Sequence, residues 1–98
     1  MICVFTMTRD RLPFTKRMLE QLKNCGVDYD HVILDNGSTD GTKEWLKEHW
    51  IQKEDVEFID SPVNLGLWKG IQTILDKTKH FKGYDYVIKI DNDFEFPE

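Results

Sequence analysis

Val32-Ile33-Leu34-Asp35-Asn36-Gly37-Ser38-Thr39-Asp40-Gly41-Thr42 is the stretch whose reading decides the fold. Its apolar, β-branched opening reads as a buried strand, and Asp35 ends it. Asn36-Gly37 is a turn signal, because both residues tolerate positive φ at little cost. Ser38, Thr39 and Asp40 then offer side-chain oxygens to the N–H groups of a starting helix, which Lys43-Glu44-Trp45-Leu46 continues. The product is a strand, a tight polar turn and a helix, with a carboxylate at the strand's carboxyl end. In open α/β sheets that end is where ligands bind. Asp40 and Thr42 read equally well as plain caps. Asp35 stands apart, because three other strand ends carry matching polar chemistry.

Those strand ends appear on working outward. Ile2-Cys3-Val4-Phe5 reads as a first strand, ending in Thr6-Met7-Thr8-Arg9-Asp10-Arg11. Pro13 suits the first turn of a helix, along which Phe14, Met18, Leu19 and Leu22 repeat at helical spacing, and Gly26 closes it. Val56-Glu57-Phe58-Ile59 reads as a third strand, ending at Asp60-Ser61-Pro62. Val63-Asn64-Leu65-Gly66 is a loop, and a helix over 67–78 has Leu67, Ile71, Ile74, Leu75 and Thr78 as its buried stripe. A fourth strand over 85–90 leads at once into Asp91-Asn92-Asp93. The order β-α-β-α-β-α-β predicts a parallel sheet with right-handed crossovers. Strand order 3-2-1-4 fits best, with helices on both faces and a crevice between the first and fourth strands. Every polar cluster then converges on one edge of the sheet.

Composition narrows the function. A chain of 98 residues holds one domain, spanning 1–98, with a single core. Hydrophobic content of 40% with 12% aromatics is globular rather than disordered. A formal net charge of −5 argues against a nucleic-acid partner. An acidic protein that holds phosphates implies a metal ion in between. Cys3 and Cys25 form no CxxC pair and read as reduced thiols, which with the absence of a basic-then-apolar leader predicts a cytoplasmic location. No apolar run approaches the length of a membrane span.

Asp91 and Asp93 lie two positions apart just past an apolar strand. In an extended segment they point the same way, so both can face one hard cation, Mg²⁺ or Mn²⁺. Lys69 opens the third helix, where the helix start favours phosphate; it reads equally as a solvated lysine. Arg9 and Arg11 carry the same two readings. Trp45, Trp68 and Phe81 read as core or interface, and the scattered His31, His49 and His80 receive no role. Absence of Gly-x-Gly-x-x-Gly and of a phosphate-loop Lys-Ser/Thr argues against dinucleotide dehydrogenases and P-loop NTPases.

Taken together, these motifs resemble family 2 glycosyltransferases of the Rossmann-like GT-A fold. The matching residues are Phe5-Thr6-Met7-Thr8-Arg9, Leu34 through Thr42, Asn64-Leu65-Gly66-Leu67-Trp68-Lys69-Gly70, and Ile90-Asp91-Asn92-Asp93 as the DxD. The resemblance implies a nucleoside-diphosphate sugar as donor, with a UDP sugar favoured. It places Thr6, Thr8 and Asp35 on base and ribose, adds Arg9, Asn36, Gly37, Asn64, Gly66 and Asp91 to the substrate site, and puts Lys69 near the nucleotide. Asp91 and Asp93 would hold Mn²⁺ or Mg²⁺. It further implies transfer with inversion to a glycan, lipid or protein acceptor. The matched region is the nucleotide-binding first half of such a domain. The family's acceptor site and catalytic base lie beyond the DxD, where the sequence stops, so no catalytic residue is assigned. Self-association through an open sheet edge is a further expectation.

Three alternatives compete. A binding module could keep the nucleotide site without transferring anything. A sugar-phosphate nucleotidyltransferase shares the general fold, but the glycine-rich run that should precede Thr8-Arg9-Asp10-Arg11-Leu12-Pro13 is absent. A phospho-receiver domain wants an acidic pair after the first strand, where Thr6-Met7-Thr8-Arg9 stands.

Overall fold

Short apolar strands alternating with amphipathic helices build one parallel sheet. The computed structural model describes residues 2–51, 55–77 and 83–91. Within them β1 (Ile2–Thr8), α1 (Leu12–Lys23), β2 (Tyr29–Asn36), α2 (Thr42–His49), β3 (Val56–Ser61), α3 (Gly66–Lys77) and β4 (Tyr86–Lys89) follow in order. The sheet runs β3-β2-β1-β4 with all neighbours parallel, as expected.

Strand alternation divides the core in two. Val4 and Ile33 face Met18, Leu19 and Leu22 of α1 and Leu46 of α2, with Trp50 closing the cluster. Cys3, Val32, Leu34 and Ile59 face the other way, against Ile74 of α3. Helices therefore cover both faces. Burial raises the Cys3 thiol pKa to about 11, with Asp30 and Glu57 adding to it, so this cysteine is a neutral core residue.

Some boundaries differ from expectation. β1 continues through Thr6-Met7-Thr8, whose two β-branched residues suit a strand, so these residues belong to the sheet rather than to the loop after it. Register puts Thr8 opposite Asp35 and Asp35 opposite Asp60. β4 pairs with β1 only from Ile2 to Phe5, and Ile90 N–H adds one bond to the Phe5 carbonyl. Among the described residues β1 therefore runs on past its last pairing with β4, through Thr6, Met7 and Thr8. α1 ends at Lys23, and Gly26 (φ +80°) lies in the connection that follows.

α3 departs most. Gly70 brings the helix close to the sheet, since a Cβ there would sit 2.6 Å from the Met7 sulfur. Ile74 is buried one turn on, but Leu67 and Leu75 remain 50% and 48% exposed. At 3.6 residues per turn they project about 60° and 140° away from Gly70, too far to reach the sheet. Trp68, expected in core or interface, is 80% exposed. Thr78 and Phe81 lie outside the described residues. The edge strand β4 also shows Tyr86, Val87 and Ile88 to solvent.

Candidate functional site

The carboxyl edge of the sheet is held together by three carboxylates, each with a different task. Asp35, at the end of β2, is fully buried. It accepts the Thr8 hydroxyl at 2.9 Å, the Ser38 hydroxyl at 2.6 Å and the Ser38 N–H at 3.1 Å. Buried carboxylate needs such donors, because leaving it without them would carry the full cost of desolvation.

Asp10 ties the β1–α1 loop to the β2–α2 loop. Its N–H donates to Ser38 Oγ at 2.8 Å, and its Oδ1 accepts the Thr39 N–H at 2.7 Å. Asp40 returns the link: Oδ2 accepts the Leu12 N–H at 3.1 Å, and Oδ1 takes the Thr42 N–H at 3.0 Å and hydroxyl at 2.5 Å. Burial pushes the Asp40 carboxyl up, but the bonds from Thr42 and Leu12 outweigh it and hold the pKa below its usual value. Of the three expected caps only Asp40, one residue before the N-cap Gly41, meets the first N–H of α2; the Ser38 hydroxyl serves the Asp10 loop and Asp35 instead. These braces hold Asp10 and Arg11 both at φ +56°, a left-handed conformation costing roughly 1–2 kcal/mol per non-glycine residue.

Asn36 performs the same service toward α3. Its Oδ1 accepts the Leu65 N–H at 2.7 Å and its Nδ2 donates to the Gly66 carbonyl at 3.3 Å. Asn64 Oδ1 closes the turn by accepting the Gly66 N–H at 3.0 Å. Gly37 (φ +78°) is pressed against this loop, where a Cβ would lie 2.6 Å from Asn64 N and 2.7 Å from Val63 C. Only glycine fits there.

Above these braces opens a cleft of about 390 Å³ lined by Met7, Thr8, Arg9, Asp10, Arg11 and Asn36. Arg9 and Arg11 are exposed at its wall. Of the residues predicted from sequence, Thr8, Arg9 and Asn36 line the cleft directly. Asp35 is buried behind Thr8, while Gly37, Asn64 and Gly66 are outside the lining, in the loops that Asn36 and Gly37 hold together. Lys69 is exposed on the first turn of α3, outside the lining. Asp91 is exposed just beyond β4, and its carboxylate accepts the Lys89 ammonium. Asn92 and Asp93 lie outside the described residues, and among the described residues no group of three potential metal ligands occurs.

Thr6 is placed differently. It is fully buried, and its hydroxyl meets His31 Nε2 at 2.9 Å beneath the cleft. His31, given no role above, is a core residue whose burial lowers its pKa to about 3, so the ring is neutral. Its Nδ1 has no hydrogen-bond partner among the described residues. A signal did exist: His31 shares the alternation of Ile33 and Asp35, which points it inward.

A parallel sheet ordered β3-β2-β1-β4, with a cationic cleft over the ends of β1 and β2, defines a Rossmann-like domain of the GT-A type. Residues 3–98 match the model described as Glycosyl transferase family 2, and the chain belongs to that family. Two solved structures share the fold. One is a mannosyltransferase, PcManGT from Pyrobaculum calidifontis, in complex with GDP-Man and Mn²⁺ (TM-score 0.77, 19% identity, covering 99% of this chain and 28% of that one). The other is Staphylococcus aureus TarS, residues 1–349 (TM-score 0.72, 18% identity, covering 94% and 27%). The chain thus spans little more than a quarter of either. No curated protein sequence matches it. No helix among the described residues is long and apolar enough to cross a membrane.

Proposed function

We propose that this domain binds the nucleoside-diphosphate sugar of a family 2 glycosyltransferase reaction. The observation that carries the reading is the cleft at the carboxyl ends of β1 and β2, where Arg9 and Arg11 supply positive charge in an acidic chain. Membership of the family supports it, as does the structural neighbour that holds GDP-Man. Thr8 and Asn36 form the polar lining that orients base and ribose. Asp35 keeps the Thr8 hydroxyl in one rotamer, and Thr6 supports the strand from below. Arg9 and Arg11 attract the diphosphate, with Lys69, exposed on the first turn of α3, as a further cation for it.

The residues present suit a hard divalent ion. Asp91 is an exposed carboxylate just past β4, and Asp93 stands two positions on in the sequence. When bound, Mn²⁺ or Mg²⁺ would neutralise charge on the departing diphosphate. Lys89, which holds Asp91 in the structure, would release it to the ion. Transfer with inversion to an acceptor hydroxyl completes the reading, and no catalytic base is assigned.

Calorimetric titration of UDP and of GDP, each with and without Mn²⁺, tests this. Binding should require the metal and fall at least tenfold in Asp91→Ala or Asp93→Ala. Failure of both nucleotides to bind overturns the proposal.

A further inference from the structure

β4 ends on a cation set directly against Asp91. Lys89 is the last residue of the strand, opposite Phe5 of β1, and the Ile90 N–H bonded to the Phe5 carbonyl carries the ladder one residue further. The sheet therefore fixes the backbone on both sides of this lysine. Its side chain is 29% exposed, against 60% for that of Asp91. In an extended segment residues i and i+2 fall on the same side, and the Lys89 ammonium donates to Asp91 Oδ1. An ion approaching Asp91 thus meets a carboxylate whose charge is already answered.

We propose, on the reading of Asp91 as a metal ligand given above, that Lys89 makes the site favour the divalent ion in complex with a nucleoside diphosphate over the bare ion. Bare Mn²⁺ has to displace the ammonium from Asp91 and then remain within one side chain's reach of it, cation beside cation. A nucleoside diphosphate carries more negative charge than the ion carries positive. Their complex is a net anion, so the same ammonium attracts it. Lys89 thereby penalises the first ligand and spares the second. The arginines of the cleft wall, Arg9 and Arg11, bias the choice in the same direction. Because it acts through Asp91, Lys89 is a positioning residue. A lysine that served only to solvate the strand end would leave metal affinity unmoved.

The test follows the electron paramagnetic resonance signal of free Mn²⁺ as the 98-residue chain is added, without nucleotide and with saturating UDP or GDP. Exposed ion pairs are individually weak, so Lys89→Gln should bind bare Mn²⁺ about threefold more tightly than the parent. Lys89→Arg, which keeps the charge, should stay at the parent value. With nucleotide present the glutamine variant should lose its advantage, and in an Asp91→Ala background the gain should shrink. Four results overturn the proposal while leaving the nucleotide site standing: unchanged bare-ion affinity in Lys89→Gln, an equal gain in Lys89→Arg, a gain that persists in full with nucleotide, or one undiminished by Asp91→Ala. Mn²⁺ binding that survives Asp91→Ala intact in the presence of nucleotide removes the metal reading, and this proposal with it.

Discussion

Asp10 donates its N–H to the hydroxyl of Ser38 at 2.8 Å, joining loops that are 28 residues apart in sequence. The same hydroxyl donates to Asp35, so one serine connects the first loop, the second loop and the buried carboxylate at the end of β2. The cleft is therefore built on a continuous network rather than on independent turns. Removing its centre should be costly. Asp35→Ala strands the Thr8 hydroxyl and the Ser38 N–H, and should destabilise the domain by about 3 kcal/mol, whereas Thr8→Val should cost about 1. Thermal melts should show Tm falling by roughly 15 °C in the first and 5 °C in the second; equal, small shifts would refute the network.

Two glycines separate strain from collision. Gly37→Ala adds a Cβ at 2.6 Å from backbone that cannot yield, on top of a φ of +78°, and should cost more than about 3 kcal/mol. Gly41 has φ +95° but open space around it, so Gly41→Ala should cost only about 1–2 kcal/mol. Urea denaturation of the two variants measures the difference.

His31 sets an acid limit on stability. Its folded pKa lies near 3, against 6.5 for the unfolded ring. The folded state therefore takes up the proton less readily, and the stability associated with neutral His31 is full above pH 6.5 and lost as pH falls below it. Between pH 6 and pH 4 the loss should be about 2 kcal/mol. His31→Gln should flatten the unfolding free energy over that interval relative to the parent; an identical slope in both would show that other groups govern it.

Asn36 should not tolerate its nearest isostere. Asn36→Asp keeps an acceptor for the Leu65 N–H but sets a carboxylate oxygen against the Gly66 carbonyl. A loss of about 1–2 kcal/mol is expected, with faster hydrogen exchange at the Leu65 amide. Unchanged exchange at that amide would mean the clamp is not what holds the loop.

The sheet was legible because each strand is a short apolar run closed by polar residues, and three intervening helices leave few topologies open. The position of Asp35 at a strand's carboxyl end, and of Asn36 in the turn after it, was legible for the same reason. What escaped depends on contacts distant in sequence. Nothing local reveals that Ser38 serves Asp10 instead of capping α2, or that Asp10 and Arg11 adopt positive φ. Leu67 and Leu75 misled because α3 has more apolar residues than its narrow, Gly70-centred contact can cover. The strand character of Thr6-Met7-Thr8 could have been read from its two β-branched threonines. Reading it so would have put the hydroxyl of Thr6 inside the sheet.

The reciprocal bonds of Asp10 and Asp40 also restrict how such a chain can change in length. Asp10 meets Thr39 while Asp40 meets Leu12, so the two loops are matched residue for residue, like teeth of paired gears. Inserting one residue between Arg9 and Leu12 would shift one side by a tooth and break bonds on both. The connections at the other end of the sheet, residues 24–28 and the segment after Trp50, make no such pairing between themselves among the described residues. Length variation among descendants of this sequence should accumulate at that pole and spare the cleft.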